Sequence, residues 1–215
     1  MNKNGDYTII LHGIMRTSRH MRQVAKYLER SGFDVINITY PSRRYKIEEL
    51  ADIVHQEILR KAKEDKKIHF VGYSLGALVL RALLHKYSYK NFGRVVHLAP
   101  PNQGSEIADF VKNWRLYKFL FGPVSQQLIT DQSEFKNIFG EVNYELGIIA
   151  GDLSIDPFSS MVIKGRNDGK VSVEKTKLPK MKDHITLHVA HAFFPFIKKV
   201  QSQTLHFLKN GEFAR

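Results

Sequence analysis

At 215 residues, 43% hydrophobic and 25% charged, the chain has apolar material for one well-buried core and is short for two. It contains no Cys, which excludes disulfides, thiolate metal sites and a cysteine nucleophile. The formal net charge is +12, and residues 164 to 215 hold 11 Lys and Arg against 4 Asp and Glu, a surplus of 7 in the last quarter; the plainest reading is a solvated basic face, and an anionic membrane surface or acidic substrate is the functional one.

The start, Met1 to Tyr7, is polar, and the apolar run Thr8 to Leu11 is too short for a signal segment or a membrane span, so a cytoplasmic location is expected. Tyr7 to Leu11 reads as a buried strand ending in His12-Gly13-Ile14-Met15. Thr17 or Ser18 is placed to cap a helix over about 19–31, with Met21, Val24, Ala25 and Leu28 facing a core and Gly32 ending it. Phe33 to Tyr40 alternates as a strand closed by Pro41, and a second helix is expected over about 47–63. Ile68 to Tyr73 is a further strand, residues from 74 to about 87 have helical spacing, and Arg94 to Ala99 is a strand stopped by Pro100-Pro101. This rhythm predicts an α/β fold: a mostly parallel sheet of about six strands with helices on both faces and ligand sites at the strands' carboxyl ends.

Between about 105 and 142 the rhythm breaks. Ile107, Phe110, Val111 and Trp114 have helical spacing, and Leu116-Tyr117-Lys118-Phe119-Leu120-Phe121 is a dense apolar patch before Gly122-Pro123. Set after a strand's carboxyl end, this small helical insertion reads either as ordinary packing or as a lid or acyl-chain wall over the site. The strand pattern returns at 144–151, and a loop holding Asp152, Asp156 and Arg166-Asn167-Asp168-Gly169 leads to a strand over 184–190 and a closing helix over about 195–209. One domain over 1–215 is expected, without repeats.

Gly72-Tyr73-Ser74-Leu75-Gly76 fits G-x-S-x-G, with an apolar strand before it and a helical pattern after it, which is the setting of a nucleophile elbow. The glycines remove side chains that would collide with the neighbouring strand and helix, and the tight turn lifts the Ser74 hydroxyl clear of the sheet. The N–H of Leu75, at the new helix's N-terminus, then points at an oxyanion formed beside it.

His12-Gly13 after the first strand, the Ser74 elbow, Pro101-Asn102-Gln103-Gly104-Ser105, Asp168-Gly169-Lys170-Val171 and a late His191 together resemble the α/β-hydrolase superfamily, and within it small bacterial lipases and esterases. The order Ser, Asp, His is that superfamily's order. The resemblance spans residues 7 to 208 and implies a serine hydrolase of carboxylic esters, with no cofactor, no metal and no nucleic-acid partner. It places the second oxyanion donor at Ile14, with Met15 as the fallback. The loop after Gly13 reads Ile14-Met15-Arg16 where bulkier-site esterases carry further glycines.

A serine hydroxyl needs a base to take its proton, and a histidine base needs a carboxylate to hold its tautomer. His191 stands at the last strand-to-helix junction and is the expected base; His184 and His188 share one strand face, and His12 is expected to brace the oxyanion loop. Asp168 is the preferred acid, with Asp152 and Asp156 as alternatives and a plain turn role as its bland reading. Met15, Tyr73, Trp114 and Phe193 are expected to contact substrate, with Tyr117, Phe119 and Phe121 as further wall residues. The expected partner is a small-molecule or lipid ester, with weak association to anionic membranes through the basic C-terminal quarter. Arg43-Arg44-Tyr45-Lys46 reads as an exposed loop. An acyltransferase or thioesterase using the same residues, and a non-catalytic binding protein on the same fold, are the competing expectations.

Overall fold

In the computed structural model, which describes residues 5–63, 66–130 and 136–215 and leaves out the side chains of 116–118, 136 and 160, all six strands run parallel in one sheet. The elements in chain order are β1 (Tyr7–Leu11), a 3₁₀ turn (Ser18–Met21), α1 (Arg22–Arg30), β2 (Asp34–Ile38), α2 (Ile47–Lys61), β3 (Ile68–Tyr73), α3 (Leu75–Lys86) and β4 (Phe92–Leu98). There follow α4 (Glu106–Val111), α5 (Arg115–Phe121), a 3₁₀ turn (Pro123–Gln127), α6 (Lys136–Phe139), β5 (Leu146–Gly151), α7 (Pro157–Val162) and α8 (Val173–Thr176). β6 (Asp183–Leu187), a 3₁₀ turn (His191–Phe196) and α9 (Lys198–Asn210) close the chain.

The spatial order is β2-β1-β3-β4-β5-β6. The chain therefore starts inside the sheet, steps outward to β2, then crosses back over β1 and advances the other way. A ligand crevice opens where the winding reverses, outside the carboxyl ends of the two strands on either side. Those strands are β1 and β3, paired with Leu11 opposite Gly72. This pairing sets the His12–Arg16 loop beside the Ser74 turn.

Central strands buried on both faces are apolar at nearly every position, which is why 7–11, 68–73 and 146–151 read as almost continuous runs, with Thr8 and His69 the buried polar residues among them. Alternate residues feed two cores. Ile9, Leu11, Phe70, Val95 and Ile148 pack with α2 and α3 on one face; Ile10, Val71, Val96 and Ile149 pack with α1 and α9 on the other.

Local chemistry moves several boundaries. The first helix opens with the 3₁₀ turn, and neither expected cap residue caps it: the Ser18 N–H donates to Thr39 Oγ1 and the Thr39 hydroxyl to Ser18 Oγ, tying that turn to the end of β2. β2 stops at Ile38 and not Tyr40, because Tyr40 turns to stack on His12 at 4.2 Å and donates its hydroxyl to the His12 carbonyl. α2 ends two residues early at Lys61, and the last helix begins only after Pro195 has closed its 3₁₀ turn. The insertion comprises α4, α5 and a 3₁₀ turn, with α6 beyond it; residues 131–135 of the expected 105–142 span lie outside the described residues.

One buried polar residue stands apart from the site. His97 on β4 is fully buried, and among the described residues neither ring nitrogen has a hydrogen-bond partner. Burial, and then the nearby Arg81 charge, push its pKa down to about 3. Between that value and the unfolded value near 6.5 the unfolded chain binds the extra proton, so stability falls as pH drops through this window. His97→Leu is therefore expected to stabilise the protein by about 2 kcal/mol at pH 5 and by less at pH 8. Urea midpoints at the two pH values check this, and an equal shift at both would refute the linkage.

Candidate active site

The turn at Ser74 is tight, as its flanking glycines allow. Ser74 is held in the left-handed region at φ 53°, ψ −120°, and its N–H is anchored to the Leu98 carbonyl at 2.9 Å. A Cβ on Gly76 would stand 2.6 Å from the Leu11 carbonyl oxygen, and one on Gly72 would stand 2.6 Å from Ala77 Cα. Only glycine lets β1, β3 and α3 meet this closely.

His191 enters from the other side of the crevice, at the turn after β6. Its Nε2 lies 3.0 Å from Ser74 Oγ and its Nδ1 lies 2.7 Å from Asp168 Oδ2. The backbone repeats the link, since the His191 N–H donates to the Asp168 carbonyl at 2.9 Å. The other carboxylate oxygen of Asp168 accepts the N–H groups of Lys170 and Val171, each at 2.9 Å, so a side chain with 1% exposure has both oxygens engaged. From the elbow, the Tyr73 hydroxyl donates to the His191 carbonyl at 2.8 Å and fixes the loop that carries the imidazole.

The alternatives are engaged elsewhere. Asp152 pairs with Arg166 and with His188 Nδ1. Asp156 caps α7 through the Phe158 N–H, accepts the Ser159 hydroxyl and lies 3.1 Å from Lys170 Nζ; these hydroxyl and amine contacts hold its pKa down to about 2. His184 Nε2 meets the Thr176 hydroxyl. His12 packs under the loop of residues 13–16, its Nε2 accepting the Tyr40 N–H and its Nδ1 lying 2.8 Å from the Gly13 carbonyl.

The backbone N–H of Leu75, next in the chain to Ser74, opens α3, where no carbonyl lies one turn earlier to accept it. Met15, also left-handed at φ 57°, donates its N–H to Ser42 Oγ at 3.2 Å. That donor is taken, and Ile14 and Met15 both line the crevice.

The crevice has a volume of about 530 Å³. Ser74, His191, Ile14, Met15 and Tyr73 form its floor, and Ile107, Ala108, Val111, Trp114, Leu120, Phe121 and Leu128 form an apolar wall. Phe193 is not among the lining residues: the 3₁₀ turn sends it outward at 48% exposure and its neighbour Phe194 into the core, leaving Ala192 at the crevice. Phe119 is likewise 77% exposed and away from the wall, and the side chain of Tyr117 lies outside the described residues. Leu128, Arg16 and Lys170 also line the crevice and were not expected there. Only the fold brings them in, for each sits in a loop without periodicity. Among the described residues no group of three or more His, Asp or Glu is placed to hold a metal ion, and no helix is long and apolar enough to cross a membrane.

The family model for the alpha/beta hydrolase fold matches residues 9–125, more than half of the chain, and the protein belongs to that family. Its six-stranded parallel sheet is that of the fold. Among solved structures it is similar to the mature form of the lipase BlEst2 from Bacillus licheniformis, with a TM-score of 0.75 and 19% identity over 98% of this chain and 93% of that one. It is also similar to the metagenomic carboxyl esterase MGS0156, with a TM-score of 0.72 and 18% identity over 87% and 64% of the two chains. A lipase-esterase related protein from Clostridium acetobutylicum follows, with a TM-score of 0.64 and 16% identity over 96% of each chain. A search of curated proteins returned no match.

Proposed function

We propose that the protein hydrolyses carboxylic esters through an acyl-enzyme on Ser74. The observation that carries this reading is the continuous chain from Ser74 Oγ through His191 to the buried Asp168. The carboxylate keeps the imidazole proton on Nδ1, so Nε2 takes the hydroxyl proton as Ser74 Oγ bonds to the ester carbonyl carbon. Negative charge then collects on the former carbonyl oxygen, facing the N–H groups of Leu75 and Ile14. Collapse breaks the carbon–oxygen bond to the alcohol, which leaves with the proton from His191. Water repeats the sequence on the acyl-enzyme, giving His191 a proton and releasing the carboxylic acid and free Ser74.

The apolar wall supports an apolar acyl group. It fits a lipid or other medium-chain ester better than a charged acid. The test pairs p-nitrophenyl esters of increasing acyl length with a fluorophosphonate serine probe. The expected result is turnover with an optimum beyond acetate and a single label on the peptide containing Ser74. No turnover together with no label would favour a non-catalytic protein on this fold.

A further inference from the structure

Apart from Ser74 and His191, the crevice has two charged lining residues, Arg16 and Lys170, and among the described residues no carboxylate lines it. Lys170 has its amine on Asp156, 3.1 Å away. Arg16 has no acidic partner among the described residues, although it follows directly on the loop that carries Ile14 and Met15. The left-handed turn at Met15, tied to Ser42, sets where that side chain departs. Its neighbour His20 is kept neutral, first by burial and next by the Arg16 charge, which hold its pKa down to about 4.

An exposed guanidinium with no acidic partner among the described residues, at the edge of an apolar crevice, is a recognition element for an anion. The acyl half of the ester would occupy the apolar wall on the insertion side, where burying a charge is costly. The charge must then sit on the other half.

Resting on the esterase reading above, we infer that Arg16 is a subsite for a negatively charged group, a phosphate or carboxylate, on the alcohol portion of the ester. The preferred substrates are thus acyl esters of an anionic alcohol, cleaved at the acyl–oxygen bond with the anionic group left intact. The net charge of +12 attracts such molecules to the protein at a distance, and Arg16 selects among those that arrive.

The experiment compares 1-octanoylglycerol with 1-octanoylglycerol 3-phosphate, both below their micellar concentrations, on wild type, Arg16→Gln, Arg16→Lys and Lys170→Gln. The wild type should prefer the phosphate ester by about tenfold or more in kcat/KM, a preference lost in Arg16→Gln through KM and partly kept in Arg16→Lys. Added salt should shrink it. Equal use of the two esters by the wild type, retention of the preference in Arg16→Gln, or its loss in Lys170→Gln instead would each overturn the subsite. A second arm presents long-chain versions of both esters in neutral phosphatidylcholine vesicles. A preference appearing only there would assign the effect to bilayer charge and refute the subsite. If neither ester is cleaved the esterase reading itself fails; cleavage of both without preference fails only this inference.

Discussion

Alanine at Ser74 or at His191 is expected to lower kcat/KM for a p-nitrophenyl ester by about 10⁴-fold or more, and the double substitution by little more than either alone. The reason lies in the 3.0 Å contact between Oγ and Nε2. Without the imidazole the hydroxyl keeps its proton and does not attack; without the hydroxyl the imidazole has nothing to deprotonate. Two residues that act as one unit cannot lose their effect twice. What survives in each variant comes from the N–H donors and the binding cleft. Retention of more than a tenth of the wild-type rate in Ser74→Ala, with circular dichroism unchanged, would remove the serine from the reaction.

Asp168→Asn should reduce kcat by about 10⁴-fold with KM little altered. The amide has no freedom to imitate the carboxylate. Oδ1 must still accept the Lys170 and Val171 N–H groups, so the Asn nitrogen is turned toward His191 Nδ1. Two donors then face each other unless the imidazole proton moves to Nε2, and that tautomer has no lone pair for the Ser74 hydroxyl. Asp152→Asn provides the contrast, because Asp152 serves Arg166 and His188 and does not touch His191. Equal losses in the two variants would mean that Asp168 acts through the fold and not through the imidazole.

Much of the architecture could be read from residue order. Buried parallel strands leave nearly unbroken apolar runs, and the Gly72 and Gly76 spacing was legible because a Cβ at either position would stand 2.6 Å from a backbone atom. His191 was marked by its place at a strand's carboxyl end. The carboxylate partner of His191 was less legible: Asp152, Asp156 and Asp168 all lie in the connection between β5 and α8, and their different partners depend on how that connection folds around α7. Phe193 misled because a 3₁₀ turn ahead of Pro195 rotates successive aromatic residues to opposite sides, which helical spacing does not anticipate. Arg16 gave no signal, since a lone arginine in a loop becomes a lining residue only through the neighbouring strand.

The apolar wall has an origin unlike that of the reacting groups. Ser74, Asp168 and His191 come from three distant loops of the sheet, whereas the wall comes almost wholly from one stretch of chain between Ser105 and Leu128. That stretch leaves and rejoins the body at one point, where the Ser105 N–H donates to the Leu128 carbonyl at 2.9 Å and Gly104 passes against Ile129. With its ends pinned together, the middle of this excursion can change in length or sequence with little effect on the strands, while Gln127 stays tied to α2 and Val124 and Leu128 to the core. On the proposed esterase reading, selection, natural or in the laboratory, can therefore retune which acyl groups are accepted while Ser74, His191 and Asp168 stay in place.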